Sequence, residues 1–382
     1  MATRIPRSVE EIDVTWFREI MGPEVRSAKI AQVIHGTATK VKVDLEIGLQ
    51  FGDNGDVVAP KTVWVKTGLE PHSKSIGTEK VYAGETFFYR NYGGKFETRT
   101  PDCYFADSDE DGNSVIVLDD LCRIGADFTD PITAGSPDLI ARGLTAIARY
   151  QAASWMNADL YAVDWLRQGG SFDAADCLAW IYDPDHWVEY SARPRFQVLA
   201  PQLRDRIKLL TAHSHLRRNW LRKGPWALSH GDAHFGQLYS LPTGEARLLD
   251  WQCVQVAHHM QDPANLIVSG LSVEDRRRHA RDLVAGYVAD LAAFGVPDAP
   301  SVDDAFAGLG VYGMHQVSWV MCMVEMQPEA VCMAVAERAS AAAVDYGTVE
   351  FLLANPGARA PGNPGACGFC ATQGASYSND HR

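Results

Sequence analysis

The chain has 382 residues, of which 46% are hydrophobic and 22% charged, the make-up of a globular protein long enough for two lobes. Its formal charge of −13 speaks against a nucleic-acid binder, which would carry a basic stripe. No run of about eighteen apolar residues exists, and "MATRIPRSVEEIDVTW" lacks the apolar core of a signal peptide, so no membrane span and a cytoplasmic location are expected.

In chain order, "SVEEIDVTWFREIMGP" places Ser8 and Glu11 at capping-box spacing. Ile12, Trp16 and Ile20 share a helical face and Gly22-Pro23 stops it, so a helix is predicted within residues 1–22. The period then becomes two. "EVRSAKIAQVIHGTATKVKVDLEIGLQF" reads as two strands around the turn "HGTAT", and "KTVWVKTG" as a short third strand after the loop "GDNGDVVAP". "GTEKVYAGETFFYRNYGG" has helical spacing, and "PDCYFADSDEDGNSVIVLDDL" reads as a hairpin ending in acidic residues. Residues 23–118 are thus predicted to be a strand lobe with one helix, followed by a hinge at 119–123.

From residue 124 to 354 the spacing is helical, as in "DLIARGLTAIARYQAASWM", "QLRDRIKLLTAHSHLRRNWLR" and "VEDRRRHARDLVAGYVADLAAFG". "VDDAFAGLGVYGMHQVSWVMCMVEM" and "PEAVCMAVAERASAAAVDYGTVEFLL" follow the same pattern. One interruption stands out at 226–252: "WALSH" and "ARLLDW" read as strands joined by the turn "LPTGE". Residues 355–382 are rich in Gly, Pro and Ser and are expected to be disordered. Cys367 and Cys370 there form a C-x-x-C, which is half of a zinc site and has no second pair nearby. The expected fold class is α+β: a small antiparallel sheet lobe with one helix and a large helical lobe, the bilobal protein-kinase-like arrangement.

The interruption "LSHGDAHFGQLYSLPTGEARLLDWQ" concentrates the polar residues. Phosphoryl transfer needs a carboxylate at the attacking hydroxyl, oxygen ligands for magnesium and a cation on the phosphates; in protein kinases the first two stand five positions apart, with a second Asp on the next strand. Asp232 and Gln237 have that interval, and Asp250 ends the following strand.

"HGDAHFGQ" followed by "LLDWQ" resembles the aminoglycoside-phosphotransferase and choline-kinase superfamily, whose signature is HGD-x-H-x-x-N and then a strand ending in Asp. "DWQ" and "ETFFY" are more similar to its ecdysteroid-kinase-like branch, and the resemblance spans about residues 25–350. It implies ATP and Mg2+ as cofactors and a small molecule with a hydroxyl as acceptor. It also implies roles: Asp232 as general base, His230 as the brace of its loop, His234 as support for the carboxylate, and Asp250 and Gln237 as metal ligands. Lys66 resembles the lysine on the phosphates and Glu85 its partner, with Glu79 as second choice. Gly36 and Thr37 resemble the loop over the phosphates. Leu118, Asp119 and Asp120 resemble the hinge that bonds adenine, and Asp262 the anchor of the catalytic loop. Gln237 departs from the pattern: its amide oxygen sits one methylene further out than that of asparagine, and magnesium tolerates little change in distance.

Two other readings stand beside this one. His230, Asp232 and His234 alternate as metal ligands on a strand would, which would make a metal-dependent hydrolase, with His258, His259 and His315 in reserve. A nucleotide-binding pseudokinase is the third, with Gln237 as its best support. For the acceptor, His315, Trp319 and Met323 recur at four-residue spacing, and Trp155, Trp187 and Tyr190 are further aromatics. An apolar pocket is expected, suited to a hydrophobic alcohol.

Overall fold

The computed structural model describes residues 5–50, 56–71, 79–170 and 174–357. Helices of eight or more residues are numbered in chain order. α1 (Val14–Met21) precedes β1 (Val25–Ile34), β2 (Thr39–Gln50) and β3 (Asp56–Thr67). α2 (Glu79–Asn91) follows, then β4 (Cys103–Ser108) and β5 (Ser114–Asp119). The five strands form one antiparallel sheet in the order β1-β2-β3-β5-β4. Strand alternation decides its two faces. Val41, Val43, Val63 and Val65 are buried on one, against Trp16 and Phe17 of α1. Lys40, Lys42, Trp64 and Lys66 therefore fall on the other, which turns toward the large lobe.

The architecture is the predicted α+β bilobal, protein-kinase-like one, with local departures. The N-terminal helix is split: a 3₁₀ turn at Val9–Glu11 precedes α1, and Ser8 makes no side-chain cap. Asp13 takes that role, since its extended backbone lets its carboxylate accept from Trp16 N–H at 2.9 Å. β3 is twelve residues long, because it pairs with the whole of β2 from Gln50↔Asp56 onward. "DVVAP", expected to be loop, is thereby strand. β5 runs through Asp119, and a 3₁₀ turn at Leu121–Ile124 makes the connection.

The large lobe holds α3 (Pro137–Ser154), α4 (Ala174–Ile181), α5 (Pro184–Ser191), α6 (Arg206–Arg218) and α7 (Gln261–Gly270). It continues with α8 (Val273–Ala293), α9 (Val302–Tyr312) and α10 (Glu329–Asp345). The last predicted helix breaks at Gly347, whose φ of +60° ends α10 before a short helix at Thr348–Ala354. Between the helices lie β6 (Asp127–Phe128), β7 (Trp226–Ser229), β8 (Leu238–Ser240), β9 (Ala246–Leu248) and β10 (Gln255–His258).

The single hairpin expected over 226–252 is replaced by strands of two small antiparallel sheets. β7 pairs with β10, while β8 pairs with β9 across the turn at 241–245 and with β6. "WALS" takes a partner beyond the quoted stretch because its three last residues are fully buried and need hydrogen bonds on both sides. Cys367 and Cys370, and nearly all of the tail, lie outside the described residues. Among the described residues, no helix is long and apolar enough to cross a membrane.

Candidate active site

Two buried strands and one buried carboxylate build the loop that carries Asp232. β7 runs out at Ser229, and the next two backbone N–H groups, of His230 and Gly231, turn inward rather than to solvent. Asp262 at the start of α7 receives them: Oδ2 accepts from His230 N–H at 2.8 Å and Oδ1 from Gly231 N–H at 3.0 Å. Ser229 Oγ–H and Tyr150 O–H add bonds of 2.9 and 2.7 Å to the same carboxylate. A buried charge is tolerated when its lone pairs are filled in this way. Gly231 has φ +83°, and a Cβ there would lie 1.9 Å from Cys253 O, so no other residue fits this bend.

His230 ties the loop to the strand opposite. Its Nδ1 accepts from Asp232 N–H at 3.3 Å and its Nε2 donates to Leu249 O at 2.9 Å. Both nitrogens are thus spent on backbone, which removes His230 from any ligand set with Asp232 and His234. His258 and His259 pack on Tyr312 and Tyr287. Among the described residues, no group of three or more His, Cys, Asp or Glu is arranged to hold a metal ion.

Asp232 then projects into a cavity of about 360 Å³ between the lobes, together with Lys66, Gln237, Asp250 and His315. His234 Nε2 stands 3.9 Å from Oδ2 and His315 Nε2 3.5 Å from Oδ1. Oδ1 is buried and accepts no hydrogen bond among the described residues. Burial pushes the Asp232 carboxyl up, but the imidazoles of His234, His315 and His230 outweigh it and hold it below the usual aspartate value. Burial keeps His234 below the usual histidine value, and its Nδ1 accepts from Gly236 N–H at 3.1 Å.

Across the cavity, β3 delivers Lys66. Its Nζ lies 2.6 Å from Glu85 Oε2 and 2.7 Å from Asp250 Oδ1, and donates to Gln252 Oε1 at 3.1 Å. Burial alone would favour the neutral amine; Asp250 and Glu85 outweigh it and keep the lysine charged above its ordinary value. In return Asp250, pushed up by burial, is drawn below its ordinary range by Lys66. α2 positions Glu85 through Phe88 on the same face, which stacks on Trp251 with ring centroids 4.5 Å apart. Asp250 itself is left-handed at φ 68°, a conformation that costs about 1 kcal/mol and that Asp tolerates better than most.

Gln237 reaches the same place. Its Nε2 is 3.5 Å from Asp250 Oδ2, leaving that oxygen otherwise without a donor. A carboxylate oxygen and an amide oxygen are the hard donors that magnesium takes, so this pair fits the ion. Gly36, Thr37 and Lys40 line the roof of the cavity beside Lys66.

Some expected residues are elsewhere. The N–H of Asp119 goes to Asp102 O and that of Asp120 to Thr62 O, while the Asp120 carboxylate holds Lys42 at 2.9 Å and Trp64 Nε1 at 3.2 Å. Leu118, Asp119 and Asp120 do not line this cavity, because the sheet and the turn at 121–124 already consume those groups. His315 and Trp319 line it, but on a 3₁₀ helix at His315–Met321 rather than an α-helix face. Met323 follows the end of that helix and lies outside the lining, where Met326 stands instead. Trp155, Trp187 and Tyr190 pack on His259, Phe196 and His186. The side chain of Glu79 lies outside the described residues. Residues not foreseen are Lys40, Gln252, Trp180 and Arg217. Lys40 is the cross-strand partner of Lys66, and Gln252 follows Asp250 by two positions, so both carried a readable signal.

No family model and no curated protein matches the chain. Solved structures similar to it include the GDP complex of wild-type aminoglycoside 2'-phosphotransferase-IIIa, at TM-score 0.46 and 11% identity, covering 86% of this chain and 96% of that one. Choline kinase LicA from Streptococcus pneumoniae is similar at TM-score 0.44 and 13% identity, covering 88% and 100%. The complex of LicA with AMP is similar at TM-score 0.48 and 14% identity, covering 87% and 97%.

Proposed function

We propose that this protein is a nucleotide-dependent phosphotransferase that moves the γ-phosphoryl group of ATP to the hydroxyl of a small molecule. The observation that carries the reading is Asp232 Oδ1, a buried carboxylate oxygen that accepts no hydrogen bond from the described residues and has His315 Nε2 at 3.5 Å, facing the same cavity as the Lys66–Asp250 pair. That oxygen has the free lone pair that an acceptor hydroxyl needs. In the transfer the hydroxyl oxygen bonds to the γ-phosphorus and the bond from phosphorus to the β–γ bridging oxygen breaks. The hydroxyl proton passes to Asp232, and the nucleoside diphosphate leaves. Lys66 and Lys40 offer positive charge to the phosphates. Asp250 and Gln237 are the residues that would hold Mg2+, which supplies charge neutralisation on the phosphate oxygens.

The test is transfer of radiolabelled phosphate from ATP to a panel of hydroxylated small molecules, with ATP binding followed by calorimetry. Transfer to at least one acceptor is expected; tight ATP binding with transfer to none would favour a pseudokinase. Gln237→Asn is expected to keep or raise turnover, because it restores the shorter amide arm beside Asp250. A collapse of turnover would give the glutamine a role of its own.

The pH profile follows from the charge on Asp232. A carboxyl held below its ordinary value stays ionised until the pH falls through that lowered value, and activity that needs the carboxylate is lost only there. kcat/KM is therefore expected to have no acidic limb due to Asp232 above about pH 4. An acidic limb near pH 6–7 would assign control to a histidine beside it.

A further inference from the structure

Arg217, near the end of α6, is a cation that the proposed transfer does not use. It is 7% exposed and lines the cavity that holds Asp232. Among the described residues its guanidinium has neither a hydrogen-bond acceptor nor a carboxylate partner. The other deeply buried arginines are all compensated. Arg195 binds Glu329 and donates to Cys322 O at 2.7 Å. Arg276 binds Asp345, and Arg338 donates to the carbonyls of Pro131 and Ile132, both at 2.7 Å. A guanidinium cannot shed its charge on burial, so an uncompensated one is costly unless something with the opposite charge joins it.

The surroundings narrow what that something is. The two carboxylates that line the same cavity have other neighbours: His315 and His234 stand by Asp232, and Lys66 holds Asp250 at 2.7 Å. Trp180 of α4, which also lines the cavity, has an indole N–H with no acceptor among the described residues, a second unmet donor. Ile181 and Trp319 add apolar lining to it. The cavity thus offers a cation and an indole N–H to an acceptor with negative charge, apolar walls to an organic body, and Asp232 to a hydroxyl.

We propose that the phosphate acceptor is a hydroxylated organic acid whose carboxylate, or an equivalent anionic head, docks on Arg217 while its hydroxyl meets Asp232. This rests on the phosphotransferase reading and reverses the charge expected for an aminoglycoside or an amino alcohol. Guanidinium binds a carboxylate bidentately, which orients the acid as well as holding it.

The test uses ω-hydroxydecanoate and para-(hydroxymethyl)benzoate, each beside its methyl ester and the corresponding amino alcohol. Phosphate transfer from Mg–ATP and direct binding by tryptophan fluorescence are read in parallel on the full-length protein. At least one acid is expected to exceed its ester in kcat/KM by about 10–100-fold, as charge-assisted bonds do. In Arg217→Met that advantage should collapse, mainly through KM, and Arg217→Lys should recover part of it. If the methionine variant does not fold, the comparison of acid with ester on the wild type decides alone. Preference for the ester or the amine overturns the anionic acceptor and leaves the phosphotransferase standing. Arg217-dependent binding of an acid with no transfer to any compound upholds the anion site and overturns the phosphotransferase. Neither binding nor transfer with either acid overturns the anionic acceptor.

Discussion

Asp232→Asn is expected to reduce turnover by ~10²–10⁴-fold, the usual weight of a positioned general base, with ATP affinity retained. Asparagine keeps the shape of the side chain and the backbone bond from Asp232 N–H to His230, so the loop has no reason to move. What it loses is the free carboxylate oxygen beside His315. Separating the two effects requires both measurements on one preparation: calorimetric titration with ATP, then phosphate transfer. Turnover close to that of the wild type would remove Asp232 from the role of base. A parallel loss of ATP affinity would place it on the nucleotide instead.

Lys66→Met is expected to weaken ATP binding and also to destabilise the fold by ~3–5 kcal/mol, the cost of stripping the partner from buried charges. Two carboxylates, Glu85 and Asp250, share this one ammonium at 2.6 and 2.7 Å, and its loss leaves them facing each other. The double variant Lys66→Met with Glu85→Gln should regain much of the stability and none of the ATP affinity. Urea unfolding of the single and double variants checks the first part, and ATP titration the second. A single variant as stable as the wild type would mean that solvent already screens the pair.

The residues of this site were readable to the extent that chemistry follows spacing along one strand or helix. Lys66 and Glu85 were named from the resemblance of "VWVKTG" and "ETFFY" to the family's lysine strand and partner helix, and a strand followed by a helical run agrees with that placement. The interval from Asp232 to Gln237 is a property of a local loop. What escaped depends on distant pairing. β7 meets β10 across 25 intervening residues that carry a hairpin of their own, so a nearer strand looked like its partner. At the expected hinge, whether the N–H of Asp119 is free depends in a related way on Asp102 O, which no pattern displays. His315 and Trp319 reached the cavity through a 3₁₀ helix, whose three-residue turn a four-residue period does not describe. Arg217 in "HSHLRRNW" looks like the solvated side of an amphipathic helix; only packing reveals that it lines the cavity.

The two hydrogen bonds of His230 have a mechanical consequence. One nitrogen of its ring holds the backbone of Asp232, and the other holds the residue before Asp250. The spacing between the two carboxylates' backbones is thereby gauged by an aromatic ring, whose internal distances are covalent and do not stretch. A chain of torsions in its place would let that spacing drift by rotation about single bonds. A flat ring permits only tilting, and the face of Trp251, with its centroid 4.8 Å away, restricts that as well. The site carries a rigid ruler between the backbone of Asp232 and the strand end that presents Asp250.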